Sequence, residues 1–546
     1  MMTWQRLILA VSLMASVCTT GVFAHQDDTA SQSKPQGEKL GRVLFKTSCT
    51  PEAQKQFDRA LGMLHSFFFP ETVQAFTTVT DIDPSCAIAY WGLAVSTRPN
   101  PLVGPWDAAT LKRGLDAVEK GKAIGAKTQR ERDWLAAIEE VYKDYEKVDQ
   151  DTRSRNYEKA MERLTRKYPH DVEAKVFYAL ALNETALHSD KTYAKQLKAV
   201  KILTPIDAKY PDHPGVTHYL IHSLDYPPLA RRGVPAANKY AKVAPSAPHA
   251  QHMPSHIYSM VGMWEQSVQS NQHAMHVGRA LAAKSYPGMT YAGMPHWWDF
   301  TEYALLQMGQ DQKAKQVRDE AGAAPKTHLD NLGINTGLAA IPARYALERS
   351  AWEEAAALQP RGSSYPQAEA ITHFARALGA ARSGDFGAAQ QDIEKMKELR
   401  ASLEKANQSY WAEQVEVQIL AAQAWLAQGQ GNKEAALKQM RAAADIEDSS
   451  EKHIAMENRL YPMRELLADM LLGYGQGTAA LKEYEASMHN SPNRLRGFYG
   501  AAKAAEAVGD KKKAATYMRS LAQLTRNADS DRPEISEAKQ QRLASR

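Results

Sequence analysis

Apolar residues recur along this chain with a period of three to four, and the alternation expected of strands is almost absent. Alanine, Leu, Glu, Lys and Gln fill the periodic stretches, and Gly, Pro or Asp interrupt them at intervals that suit helix–turn–helix units. The elements predicted are therefore helices, paired by short turns and repeated from about Pro51 to Leu524.

The pairs follow a 34-residue period, with small residues where helices would cross and a proline near the end of each unit. Thr72, Phe76 and Pro84 hold the second-helix small, aromatic and terminal-proline positions, and Tyr90, Leu93 and Ala94 begin the next first helix. Ala468, Gly475, Ala480, Tyr484 and Pro492 repeat the scheme, followed by Phe498, Ala502, Gly509, Ala514 and Met518. Gly384 with Ala389 and Ile393, and Gly429 with Ala436 and Met440, mark two further units. On these residues the chain resembles the tetratricopeptide-repeat (TPR) superfamily. The resemblance implies an all-α solenoid of antiparallel helix pairs stacked into a superhelix, which binds a protein, peptide or small ligand along its concave surface. The stretches Leu64-His65-Ser66-Phe67, Asp83-Pro84, Tyr90-Trp91-Gly92 and His252-Met253-Pro254-Ser255-His256 also resemble a group of bacterial exported TPR proteins, which brings no secure activity with it.

The first residues set an expected compartment. Arg6 precedes an apolar run from Leu7 to Val17, and Val22-Phe23-Ala24 suits cleavage after Ala24. Residues 1–24 are expected to be a signal peptide and 25–48 a flexible leader. N-terminal TPR-like repeats would fill 49–212, histidine-rich repeats 213–325 and C-terminal repeats 326–528, before a polar tail at 529–546. The expected location is periplasmic or secreted, in a bacterium, with no transmembrane anchor after cleavage. The mature chain would keep two cysteines, Cys49 and Cys86, as one disulfide or as two buried thiols.

Charge changes the picture little. A net charge of +5 over 546 residues is near balance and argues against a nucleic-acid binder. No Gly-rich phosphate loop is present, so no nucleotide cofactor is expected; Cys-x-x-Cys, Gly-x-Ser-x-Gly and His-Glu-x-x-His are absent too.

Histidine changes it more. Nine of the 17 histidines fall between His213 and His296. His218 and His222 are spaced i, i+4 on one helix face, and His252 and His256 repeat that spacing one period later. With Gly262 at its turn, the second unit starts at Pro248 and places His249, His252 and His256 at positions 2, 5 and 9, which face the groove in proteins that this sequence resembles. In the next unit, with its turn at Gly309, these positions are His296, Asp299 and Tyr303. Packed helices lie about 8–10 Å apart, so imidazoles on neighbours can surround one ion. The candidate metal ligands are therefore His218, His222, His249, His252, His256, His296 and Asp299, with Tyr303 and Met260 in the ligand groove. Imidazole suits copper or zinc among other ions, and nearby Met253, Met260, Met263 and Met294 tilt the choice toward copper. The competing readings are a metal-dependent hydrolase or oxidase on the same histidines, and a metal-free protein–protein scaffold. His65, at repeat position 13, stands apart from the cluster in sequence, and Phe67-Phe68-Phe69 and Trp297-Trp298 read as packing between helices.

Overall fold

Helix follows helix through the chain because each local signal favours it. Thr128 opens Gln129–Tyr142 with a capping box, its hydroxyl accepting from Glu131 N–H while the Glu131 carboxylate accepts in return. Asp107, Asp149 and Asp171 cap three other helices, and proline starts several more. The computed structural model describes residues 38–98, 100–457 and 459–544, and residues 39–544 within it belong to one compact unit. The expected signal peptide, and residues 25–37 of the expected leader, lie outside the described residues. Among the described residues there is no strand, only one isolated bridge between Thr290 and Thr327. No described helix is long and apolar enough to cross a membrane.

Each helix packs on the next in sequence, and along much of the chain the first helix of a pair also lies on the first helix of the following pair. Met294–Gln307 touches Leu332–Glu348, which touches Pro366–Ser383, which touches Ser409–Gly429. That double contact, partner and next neighbour, defines an all-α, TPR-type solenoid. The turns inside the pairs need a left-handed residue, and glycine supplies it at Gly262, Gly309, Gly384, Gly475 and Gly509, with φ between 68° and 88°. One expected turn is displaced: Gly429 ends its helix, and Gly431 (φ 82°) makes the turn.

The expected leader is partly structured. Residues 39–48 run extended over the repeats, with Leu40 and Phe45 buried and Leu44 N–H donating to Glu173 (2.6 Å). Within the expected polar tail, Pro533–Ala544 is a helix whose Ile535 and Ala538, three residues apart on one face, are fully buried against the last repeat. Cys49 and Cys86 are bridged, tying the start of the first helix, Pro51–His65, to the N-cap of Ala87–Thr97.

Two features position the site. The superhelix closes on itself, so that Pro51–His65 lies against Pro214–Leu224. The connection 450–462 then crosses the inner helices. Glu451 joins Lys191 (2.5 Å) and Tyr193, Lys452 reaches Asp225 (3.0 Å), Thr336 donates to Ala455 O, and Arg344 donates to Arg459 O. Glu451, Lys452, His453, Glu457 and Tyr461 are all buried. The groove expected to be open is filled there by the chain's own segment.

Candidate metal centre

Three inner helical segments bring six imidazoles together. Pro214–Leu224 carries His218 and His222. Pro248–His252 and Pro254–Met260 carry His249, His252 and His256, and Met294–Gln307 carries His296 near its start. The middle segment is split because Pro254 has no N–H to donate into the ladder. Hydroxyls bond two carbonyls beside the break, Ser255 donating to His252 O (2.8 Å) and Ser270 to Gln251 O. The i, i+4 pair therefore survives the break.

The rings form two triads, His218–His222–His249 and His252–His256–His296. Within each, one nitrogen from every ring lies within 4.8 Å of the others. Each triad has two buried rings and one half-buried ring, and each sits under a phenylalanine. Phe67 packs on His218, His222 and His249, and Phe300 on His252, His256 and His296, with centroids 4.5–5.8 Å apart. Phe67 takes a left-handed backbone (φ 47°), a strained conformation for a bulky residue and one that recurs at functional sites.

The hydrogen bonds around the triads set the tautomers. His218 Nδ1 donates to His65 O (2.6 Å), a group that can only accept. His252 Nδ1 meets Asn271 Oδ1 (2.6 Å); the Asn271 amide is oriented by donating its Nδ2 to Ser267 O (2.8 Å), so Oδ1 accepts. His256 Nδ1 meets Asp225 Oδ2 (2.9 Å). Burial pushes the Asp225 pKa up, but Lys452 and His256 outweigh it and hold the group below its ordinary value, as a carboxylate. Three rings thus commit Nδ1–H outward and leave Nε2 as a lone pair facing inward, the arrangement in which a metal-binding histidine is held by a carbonyl or carboxylate behind it. His252 Nε2 and His256 Nε2 then face each other at 3.0 Å. A proton between them would require an imidazolium, and burial depresses the pKa of both rings, with His296 and His256 adding to the effect at His252. His218 Nε2, both nitrogens of His222, His249 Nε2 and His296 Nδ1 are buried and have no hydrogen-bond partner. Buried imidazole nitrogens are ordinarily satisfied, so this concentration is unusual.

A third grouping provides a contrast. Glu173 accepts from His65 Nε2 (2.9 Å), His213 Nε2 (3.1 Å) and Leu44 N–H, while His65 Nδ1 meets Tyr219 Oη and His213 Nδ1 accepts from Val216 N–H. All four of its imidazole nitrogens are satisfied, which makes it a structural knot.

Three expected site residues lie elsewhere. Asp299 joins neither triad: its carboxylate is taken by Arg344 of the next first helix (3.0 Å) in a buried ion pair. Tyr303 is not in an open groove but in the interior, its hydroxyl accepting from Arg494 (2.5 Å). Met260 is buried and lines a different pocket, with Pro227 and Pro228. Sequence reasoning missed the environment of the rings: His65 O, Asn271, Asp225 and Phe67.

A cleft of about 430 Å³ runs to the triads from outside. His222 and His249 of one triad, and His256 and His296 of the other, lie on its wall. The connection before Met294–Gln307 contributes Tyr291 to Gly293, and the inserted segment contributes Ile454 and Ala455.

No known family model matches the sequence, and no curated protein matches it. Solved helical-repeat structures resemble the chain weakly. Naa15/Naa10 bound to HypK-THB is 12% identical over 90% of this chain and 74% of that one, with a TM-score of 0.24. IFIT1 with Gppp-AAAA is 11% identical over 87% and 96%, with a TM-score of 0.35. At those TM-scores neither likeness bears on the architecture or the site.

Proposed function

We propose that this protein is an exported metal-binding solenoid, periplasmic or secreted, whose six imidazoles hold transition-metal ions, copper or zinc, at the inner end of a ligand cleft. The supporting observation is the approach of His252 Nε2 and His256 Nε2 to 3.0 Å while each ring's Nδ1–H is already committed. Two facing lone pairs repel, and a coordinated cation removes the repulsion. Zinc and copper both accept three imidazoles with a position left open for a small ligand. Export is supported by the N-terminal pattern and by the disulfide, which persists in oxidising compartments. Filling of the inner groove by 450–462 favours a small molecule in the cleft over a long peptide along the solenoid.

Metal analysis of the full chain, purified without a histidine tag, should find at least one ion per molecule. The paired change His252→Ala and His256→Ala should lower the bound metal by one ion per molecule while circular dichroism stays helical. Absence of metal after reconstitution with copper and zinc would overturn the reading.

A further inference from the structure

The two triads adjoin almost as closely as their own members do. Ring centroids across the boundary lie 5.8 Å apart for His249–His252 and 6.3 Å for His222–His256, against 4.6–5.7 Å between paired rings within a triad. The cleft reaches two rings of each triad, so one small molecule entering it meets both sets of open positions. Such a pair of adjacent ions can act on one bound ligand together.

Charge selects among the metals. Each triad offers three neutral donors, and the carboxylate bonded to the cluster, Asp225, already faces Lys452. Two divalent ions would bring four positive charges into a buried site whose nearest anion is thus compensated. Two cuprous ions bring two, and burying uncompensated charge is expensive. On oxidation, an oxygen-derived anion bridging the pair offsets the added charge.

The cleft indicates what else enters. Phe67, Phe69, Trp106, Tyr291 and Trp297 give it flat aromatic walls. Its charged lining residues, apart from the histidines, are Asp107 and Asp330, with no Lys or Arg among the described residues. An aromatic, uncharged or cationic guest fits that lining, and an acidic one does not.

We infer that the two triads form a single dinuclear copper centre that binds dioxygen and oxidises catechol-type compounds admitted by the aromatic cleft. This rests on the metal-binding reading above. Each catechol gives up two electrons and two protons and leaves as the quinone. One O2 takes four electrons and four protons from two catechols and leaves as two waters.

The test uses the full untagged chain, loaded anaerobically with two equivalents of Cu(I), then exposed to air, with catechol as the probe. The expected result is two retained coppers per chain. Their Cu(II) EPR signal should fall about tenfold or more below total copper, because ions sharing a bridge couple their spins. Quinone should form at two per O2 consumed. His222→Ala, and His222→Gln in case the first variant folds poorly, should each lose one copper, make the remaining copper fully visible by EPR, and slow quinone formation by roughly a hundredfold or more. Two coppers that are both fully visible by EPR in the parent protein would overturn the dinuclear centre while leaving metal binding intact. A coupled pair that leaves catechol unconsumed would overturn the substrate assignment. Failure to bind copper at all would instead remove the metal-binding reading.

Discussion

At the scale of single residues, the site depends on what stands behind the imidazoles. Asp225 accepts from His256 Nδ1 and is itself held by Lys452. Asp225→Asn can present an amide N–H to the ring and release it to the other tautomer. Metal affinity, measured by competition titration, is expected to fall about 10–100-fold with the fold unchanged. The six histidines were legible in sequence because an i, i+4 pair and a repeat period are both local arithmetic. Asp299 and Tyr303 obeyed the same arithmetic and went elsewhere, because Arg344 and Arg494 claim them from later repeats. Position in a period shows which way a side chain points, and it carries no record of which distant charge reaches it first. His65 and Phe67 escaped for the converse reason, since they meet Pro214–Leu224 only after the superhelix has closed.

At the scale of helices, the small residues of the repeat do what their spacing suggested. A Cβ on Gly92 would stand 2.3 Å from the Phe76 ring, and one on Gly500 would stand 2.2 Å from the Tyr484 ring. Gly92→Ala gains about 1 kcal/mol of helix propensity, but Phe76 is fully buried against Phe57 and has little room to yield. The clash should win, with a net loss of about 1–3 kcal/mol in urea unfolding. The inserted segment 450–462 was less legible. Its trace is an interval between Gly429 and Gly475 that exceeds the period by roughly a dozen residues, and an interval does not disclose where the surplus goes. Glu457 in that segment has its pKa raised to about 8 by burial, with Asp299 adding to the rise and Arg344 opposing it. From the ordinary carboxyl value of 4.5 up to about 8, the folded chain holds a proton that the unfolded chain has released. Stability should therefore fall as pH rises through that window and level off above it. Glu457→Gln should flatten that slope in thermal melts taken from pH 5 to 9.

At the scale of the whole molecule, crosslinks between distant repeats hold the superhelix closed. Arg494 reaches Glu348 and Glu465 within 2.9 Å as well as Tyr303, joining three repeats at one guanidinium. The disulfide closes a separation of 37 residues beside the helix that lies under the first triad. Its reduction should lower stability by about 4 kcal/mol, read as a drop in Tm with added thiol reductant. The segment 450–462 has a different consequence, one of order in time. A chain emerging from its N-terminus presents all six imidazoles roughly 150 residues before Lys452 arrives to hold Asp225. Until then the histidine cluster lacks the segment that covers it at Asp225. On the metal-binding reading, an ion is most easily received in that interval, and later exchange runs through the cleft.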